Sequence, residues 1–138
     1  MYLQDYKPAV GAKGKTAWYE AAFAKAVAAG LAAGNRSEPV PMVVNEMAGM
    51  SNVVKQSYYV SEGACGFAWV NVSPGNSPFA NWLKKTGIAR KSYYGGVDIW
   101  ISDFGQSVDR KEACASAMAK VLQMELGMSS ISSMSRLD

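Results

Sequence analysis

Apolar positions along this chain change their spacing several times, and each change marks an element. In an Ala-rich stretch, Tyr19, Phe23, Val27 and Leu31 recur every four residues, the spacing of one helical face. The pattern predicts a helix capped by Thr16, running to Ala33 and stopped by Gly34. Gly30 inside it costs up to about 1 kcal/mol relative to Ala, and tight helix–sheet packing is the expected reason for keeping it. A connector broken by Pro39 and Pro41 leads to a short strand, Met42-Val43-Val44, and residues 45–54 read as a mobile loop. Lys55–Val60 and Cys65–Val72 read as strands joined into a hairpin by Ser61-Glu62-Gly63-Ala64.

The second of those strands alternates large with small. Cys65, Phe67 and Trp69 point one way, while Gly66, Ala68, Val70 and Val72 point the other. Both faces are apolar, so the strand is expected inside a sheet covered on both sides, or at an interface. Ser77 then caps a short helix with Pro78 at its first position, Phe79, Trp82 and Leu83 on its apolar face, and Gly87 at its end. Gly96–Ser102 alternates again, with Val97, Ile99 and Ile101 on the core side and Asp98, Trp100 and Ser102 opposite. A final helix opens with an Asp109–Glu112 capping box, carries Cys114, Met118, Val121, Leu122 and Glu125 on one side, and closes at Gly127.

These elements describe an α+β single domain: a mixed or antiparallel sheet of about four strands with about three helices packed on it. The domain is expected to span residues 16–127, between an arm at 1–15 and a Ser-rich tail at 128–138 without usable period. Tyr2, Leu3, Tyr6 and Val10 are the arm residues expected to pack. No repeat and no membrane-length apolar run interrupts this order. Residues 1–15 lack the apolar core of a signal peptide.

Composition removes several chemistries. The 138 residues are 49% apolar and 18% charged, with a net charge of +3, too weak to mark a nucleic-acid binder by itself. Histidine is absent, which removes the usual general base and every Ser-His or Cys-His scheme. Two cysteines, Cys65 and Cys114, cannot build a thiolate metal centre from one chain. Both are expected to be packed, inert core thiols. No cofactor is expected.

The most suggestive segment is WLKKTGIARKSYYGG, residues 82–96. Lys84, Lys85, Arg90 and Lys91 can hold phosphate while Tyr93 and Tyr94 stack on a base. Gly95 and Gly96 would let backbone approach a ligand closely. The plainer reading is a solvated helix end followed by a turn. The turn containing Gly75, Asn76 and Ser77 is a second candidate, as an anion site at a helix N-terminus, although most such turns are only turns. Glu62, Asp98 and Asp103 are expected near one sheet edge, for acid–base work, a divalent ion, or pairing with Arg90, Lys91 or Arg110. Trp69 and Trp82 read as core. Trp100, sharing a face with Asp98 and Ser102, lies under a helix or forms a protein interface.

GACGFAWVNV (63–72), SPFANWLKK (77–85), SYYGGVDIWIS (92–102) and FGQSVDRKEACASAMAKVL (104–122) resemble a group of small proteins recurring in tailed-bacteriophage genomes. The resemblance covers residues 58–122 and extends to the Ser135–Asp138 end. It implies an accessory protein acting in the cytoplasm of the infected bacterial host, and it transfers no site residue, because the family has no established activity. The expected function is a non-enzymatic, counter-defence binding protein sequestering a nucleotide or nucleotide-like ligand. The alternatives are a single-stranded nucleic-acid binder and a protein-binding inhibitor or virion component. An enzyme using the carboxylates with a metal stays open. The aromatic content further suggests a homodimer or higher homo-oligomer.

Overall fold

The computed structural model describes residues 1–47 and 54–138, and side chains outside 42–60. Helix α1 (Gly14–Arg36) buries Tyr19, Phe23 and Val27, and leaves Leu31 half-buried, as the four-residue spacing requires. Both of its ends lie outside the predicted ones. Thr16 sits within the helix, whose N-cap is Lys13, and Gly34 does not stop it. Gly34 is instead a contact point: a Cβ there would lie 2.2 Å from the Phe104 ring. A Cβ at Gly30 would lie 2.6 Å from Met118 Cγ and 2.9 Å from Cys114 Sγ. The close approach expected of Gly30 is therefore made to a second helix rather than to a sheet.

That partner is α3 (Val108–Leu126), which buries Cys114, Met118 and Leu122 and ends at Gly127 with φ 64°. Its N-cap is Ser107, whose hydroxyl accepts from the Arg110 N–H at 3.4 Å. The Asp109–Glu112 box does not form. Asp109 accepts from the Val40 N–H (3.0 Å), and Glu112 accepts from the Ser135 hydroxyl (2.6 Å). Between these helices in sequence, α2 (Pro78–Lys85) follows its prediction. The Ser77 hydroxyl accepts from the Ala80 N–H at 3.3 Å, Pro78 leads, and Phe79, Trp82 and Leu83 are buried. Tyr19 packs against Phe79 and Trp82, with ring centroids 5.4 and 5.9 Å away.

The strands form two sheets, antiparallel throughout. β1 (Met42–Met47) pairs with β2 (Val54–Val60), and a four-stranded sheet runs in the order β4-β5-β3-β6. Its members are β3 (Gly66–Val72), β4 (Arg90–Lys91), β5 (Val97–Trp100) and β6 (Ser132–Leu137). The expected hairpin between 55–60 and 65–72 is thus replaced by β1–β2. The stretch before β3 is tied to the start of α3: the Ser107 hydroxyl donates to Glu62 O (2.9 Å) and the Gly66 N–H donates to Gln106 O (3.0 Å). Those bonds compete with a turn that would fold β2 onto β3. The expected loop over 45–54 is strand at both ends, 45–47 continuing β1 and Val54 opening β2, and residues 48–53 lie outside the described residues.

The tail supplies the strand that the sequence pattern missed. β6 pairs along β3 from Gly66↔Leu137 to Asn71↔Ser132. A run of serines has little strand propensity, but the free edge of β3 needs hydrogen-bond partners, and the tail provides them. The arm also joins the body in part. Leu3 is fully buried in a one-turn 3-10 helix, Leu3–Asp5, and its N–H donates to Asp103 Oδ1 at 2.7 Å. Tyr6 meets the Phe23 ring edge-on at 4.7 Å. Tyr2 and Val10 remain exposed.

One sheet face carries the core. Ala68, Val70, Val72, Val97, Ile99 and Ile101 form a single buried cluster with the apolar faces of α1, α2 and α3. The opposite face holds Phe67, Trp69 and Asn71 of β3, Asp98 and Trp100 of β5, and Arg136 of β6, and its aromatic rings lie outside that cluster. β3 is therefore interior to the sheet, and it is its Ala68–Val70–Val72 face that packs into the helix-lined core. Among the described residues no helix is long and apolar enough to cross a membrane.

Candidate functional site

The row Arg90–Asp98–Asn71 crosses three strands in register, which brings side chains distant in sequence onto one surface. Two residues along on the same face, Trp69 pairs with Trp100, their rings 4.7 Å apart and tilted by 35°. The Phe67 ring stands edge-on to Trp100 at 6.3 Å, and the Arg136 guanidinium lies 5.4 Å from the Phe67 centroid, within cation–π range. After β4 the chain turns through Ser92–Gly96 and presents Tyr93 and Tyr94, which are 93% and 77% exposed and touch edge-to-face at 5.0 Å. Their Ser92 anchor is buried and its hydroxyl accepts from the Tyr94 N–H at 3.2 Å.

Together these residues wall a cleft of about 440 Å³ lined by Trp69, Trp100, Arg90, Lys91, Tyr93, Tyr94, Asp98 and Arg136. That volume falls within the roughly 300–1,000 Å³ of small-molecule sites. Three cations face one carboxylate, so the cleft favours anions. Flat rings on two sides suit a planar ligand.

The floor is polar and held in place. Asn71 and Asp98 are 7% and 6% exposed. The Asn71 amide donates to Asp98 Oδ1 at 2.8 Å and to the Gly95 carbonyl at 2.9 Å, fixing the loop to the sheet. Trp69 Nε1 is buried without a hydrogen-bond partner among the described residues.

Of the residues singled out from sequence, Arg90, Lys91, Tyr93, Tyr94 and Trp100 come together here. Lys84 and Lys85 do not line the cleft. Lys84 instead donates to the Gly75 carbonyl at 2.9 Å, tying α2 to its own preceding turn. Gly75 packs on Gly96, an ideal Cβ lying 3.4 Å from Gly96 Cα, so the turn with Asn76 and Ser77 backs the tyrosine loop. Within and after it, the Ser77 N–H donates to Pro74 O, and in α2 the Asn81 N–H donates to Ser77 O and the Ala80 N–H to the Ser77 hydroxyl. Gly96 has φ 73°, and a Cβ would sit 2.5 Å from Val72 O. Its close approach is to the neighbouring strand, while Gly95 stays open to solvent.

The carboxylates do not gather at one edge. Glu62 pairs with Arg110 at 2.6 Å, Asp103 accepts from Leu3 and Gln4, and only Asp98 reaches the cleft. Among the described residues no three Cys, Asp or Glu side chains gather as a metal site. Cys65 is exposed and precedes β3 rather than lying in the core. Cys114 is buried, and burial, then the negative charge of Asp103, pushes its thiol up to about 12.

Trp69, Asn71 and Arg136 complete the site without having been picked out as binding residues. Trp69 is buried, as its core reading expects, and it also lines the cleft. Arg136 was hidden because its strand exists only through pairing with β3. No known protein family, curated protein or solved structure matches the chain.

Proposed function

We propose that this chain is a non-enzymatic binding protein that sequesters a nucleotide or nucleotide-like ligand in the cleft between the tyrosine loop and the sheet face opposite the core. The observation that carries this reading is the convergence of Arg90, Lys91 and Arg136 with Tyr93, Tyr94, Trp69 and Trp100 around one space. Cations take phosphate and rings stack on a base. Holding a ligand requires a shaped cleft and no proton shuttle, which suits a sequence without histidine. The counter-defence role implied by the phage resemblance fits a protein that removes a nucleotide signal by binding it.

Titration of the full chain with linear and cyclic nucleotides, followed by calorimetry and by tryptophan fluorescence, tests the proposal. Saturable heat with quenching of Trp69 and Trp100 is expected, and both are lost in the Arg90→Ala/Lys91→Ala variant. Absence of binding by every nucleotide at millimolar concentration rejects it.

A second reading draws on the extension of the aromatic surface beyond the cleft to Phe67, which lies beside the cleft's Arg136. A single strand of nucleic acid laid along the sheet would use the same residues. Its affinity would fall steeply with rising salt, because phosphate contacts release counterions. A salt-insensitive complex excludes it.

A further inference from the structure

The cleft continues past Trp100. A second cavity of about 320 Å³ adjoins it and shares three of its wall residues, Arg90, Asp98 and Trp100. Its origin lies in the chain just before β4. That strand pairs with β5 through Val97 and Asp98, whereas the preceding Ile88 and Ala89 N–H groups donate to Leu83 O in the last turn of α2 (3.0 and 3.1 Å). The chain is thereby drawn away from β5, and a space opens beside Ile99, Trp100 and Ser102. Apart from the shared wall this cavity is lined by Met1, Gly87, Ile88, Ile99 and Ser102, which add no charged side chain.

Charge and rings alternate across the same surface. In the strand order β4-β5-β3-β6, Arg136 stands on one edge of the sheet and Arg90 on the other, with Trp69 and Trp100 between them. Strand spacings of about 4.8 Å separate these rows, so the positive charge is divided between two places. The uncharged second cavity lies on the Arg90 side. Resting on the nucleotide reading above, we infer that the ligand is a linear dinucleotide carrying a 5′-phosphate. Its 5′-phosphate meets Arg136, its first base stacks among the tryptophans and tyrosines, its linking phosphate meets Arg90 and Lys91, and its second nucleoside enters the second cavity. Of the three shared residues Arg90 suits the phosphate, being exposed and able to grip two oxygens at once. Asp98 is buried and accepts from Asn71 at Oδ1 (2.8 Å). Ser102 offers the second nucleoside a hydroxyl that both donates and accepts. A mononucleotide fills only the first half of this arrangement.

The test is calorimetric titration of the full chain with AMP, ADP and the 5′-phosphorylated linear adenylate dimer and trimer, and with the matching uridylates. Salt is held fixed, because added phosphates alone strengthen binding. ADP and UDP supply the extra charge of the dimer without its second nucleoside. In at least one series the dimer is expected to bind at least about tenfold more tightly than the mono- or diphosphate, equivalent to about 1.4 kcal/mol. The trimer is expected to lie within about threefold of the dimer, because the second cavity holds one nucleoside. A dimer no tighter than the monophosphate, a diphosphate equal to the dimer, or a trimer that repeats the whole gain overturns the assignment and leaves the nucleotide reading standing. Failure of every compound to bind overturns it as well, and the nucleotide reading is then decided by the cyclic nucleotides of the panel above. Ser102 is exposed, and Ser102→Tyr, which sets a ring into the second cavity, is expected to bring the dimer to within about threefold of the monophosphate. An unchanged ratio in that variant places the second nucleoside elsewhere and overturns the assignment. The length series is read on the unaltered chain, so it decides the matter even where Ser102→Tyr does not fold.

Discussion

The two faces of the four-stranded sheet use the same strands for opposite ends. On the helix side β3 contributes Ala68, Val70 and Val72, each with no measurable exposure, and β5 contributes Val97 and Ile99. On the other side the same strands carry Phe67, Trp69, Asn71, Asp98 and Trp100. The first face is filled by small and branched groups because α3 runs close above it. The second carries rings, a cation and a carboxylate; the Lys111 ammonium of α3 lies 5.9 Å from the Phe67 ring centroid, and Trp69, Asn71 and Asp98 are buried there as well. The two-residue period of a strand thus separates the core face from the face proposed to bind. A substitution on one face should move one property and spare the other.

Truncating the packed side should have the largest effect. Phe23 is fully buried against Tyr6 and Trp82, so Phe23→Ala should cost about 3–5 kcal/mol in urea unfolding. If it folds, its nucleotide affinity should be unchanged. Gly30→Ala comes next, because its new methyl meets Met118 and Cys114 at 2.6 and 2.9 Å. Overpacking of this kind costs about 1–3 kcal/mol, read as a lower denaturation midpoint. A gain in stability would mean that α1 and α3 can move apart freely.

A pH scan sharpens the contrast through Cys114. Its folded thiol holds its proton up to about 12, against an ordinary value of 9.0. The unfolded chain releases that proton first, so the contribution is complete below pH 9.0, declines above it and is gone once pH passes about 12. Melting temperature should fall across this window more steeply in the parent chain than in Cys114→Ala. A thiol reagent should meanwhile label Cys65 alone in the folded protein and both cysteines after denaturation. The smallest stability effect belongs to the open side. Tyr93→Ala, at a side chain 93% exposed, should stay within about 0.5 kcal/mol of the parent. Nucleotide binding should nevertheless weaken, and unaltered binding would detach the tyrosine loop from the cleft.

Helix α2 shows what local pattern can specify. Ser77, Pro78 and the Phe79–Trp82–Leu83 spacing act within one or two turns, and each takes its expected place. The start of α3 was less legible, since Ser107 and Asp109 both offer capping oxygens and the choice depends on Val40, which occupies Asp109. The β2–β3 hairpin failed for a related reason. Its turn residues are plausible by themselves, but Glu62 and Gly66 are held by Ser107 and Gln106. In the cleft, Arg90, Lys91, Tyr93 and Tyr94 were readable because they are contiguous. Trp69, Asn71 and Arg136 were not, because strand register alone makes them neighbours.

Residue type and short-range spacing were enough to establish the class of fold, the three helices, the aliphatic side of β5 and the lack of imidazole chemistry. Those properties depend on backbone preference and on the burial of apolar groups a few positions apart. Pairing of the serine-rich tail with β3, contact between α1 and α3 through Gly30 and Gly34, and placement of Asp98 beneath the tyrosines arose at longer range. Hydrogen-bond partners and close-packing surfaces for these groups come from segments tens of residues away, so no window of sequence contains the forces that select them.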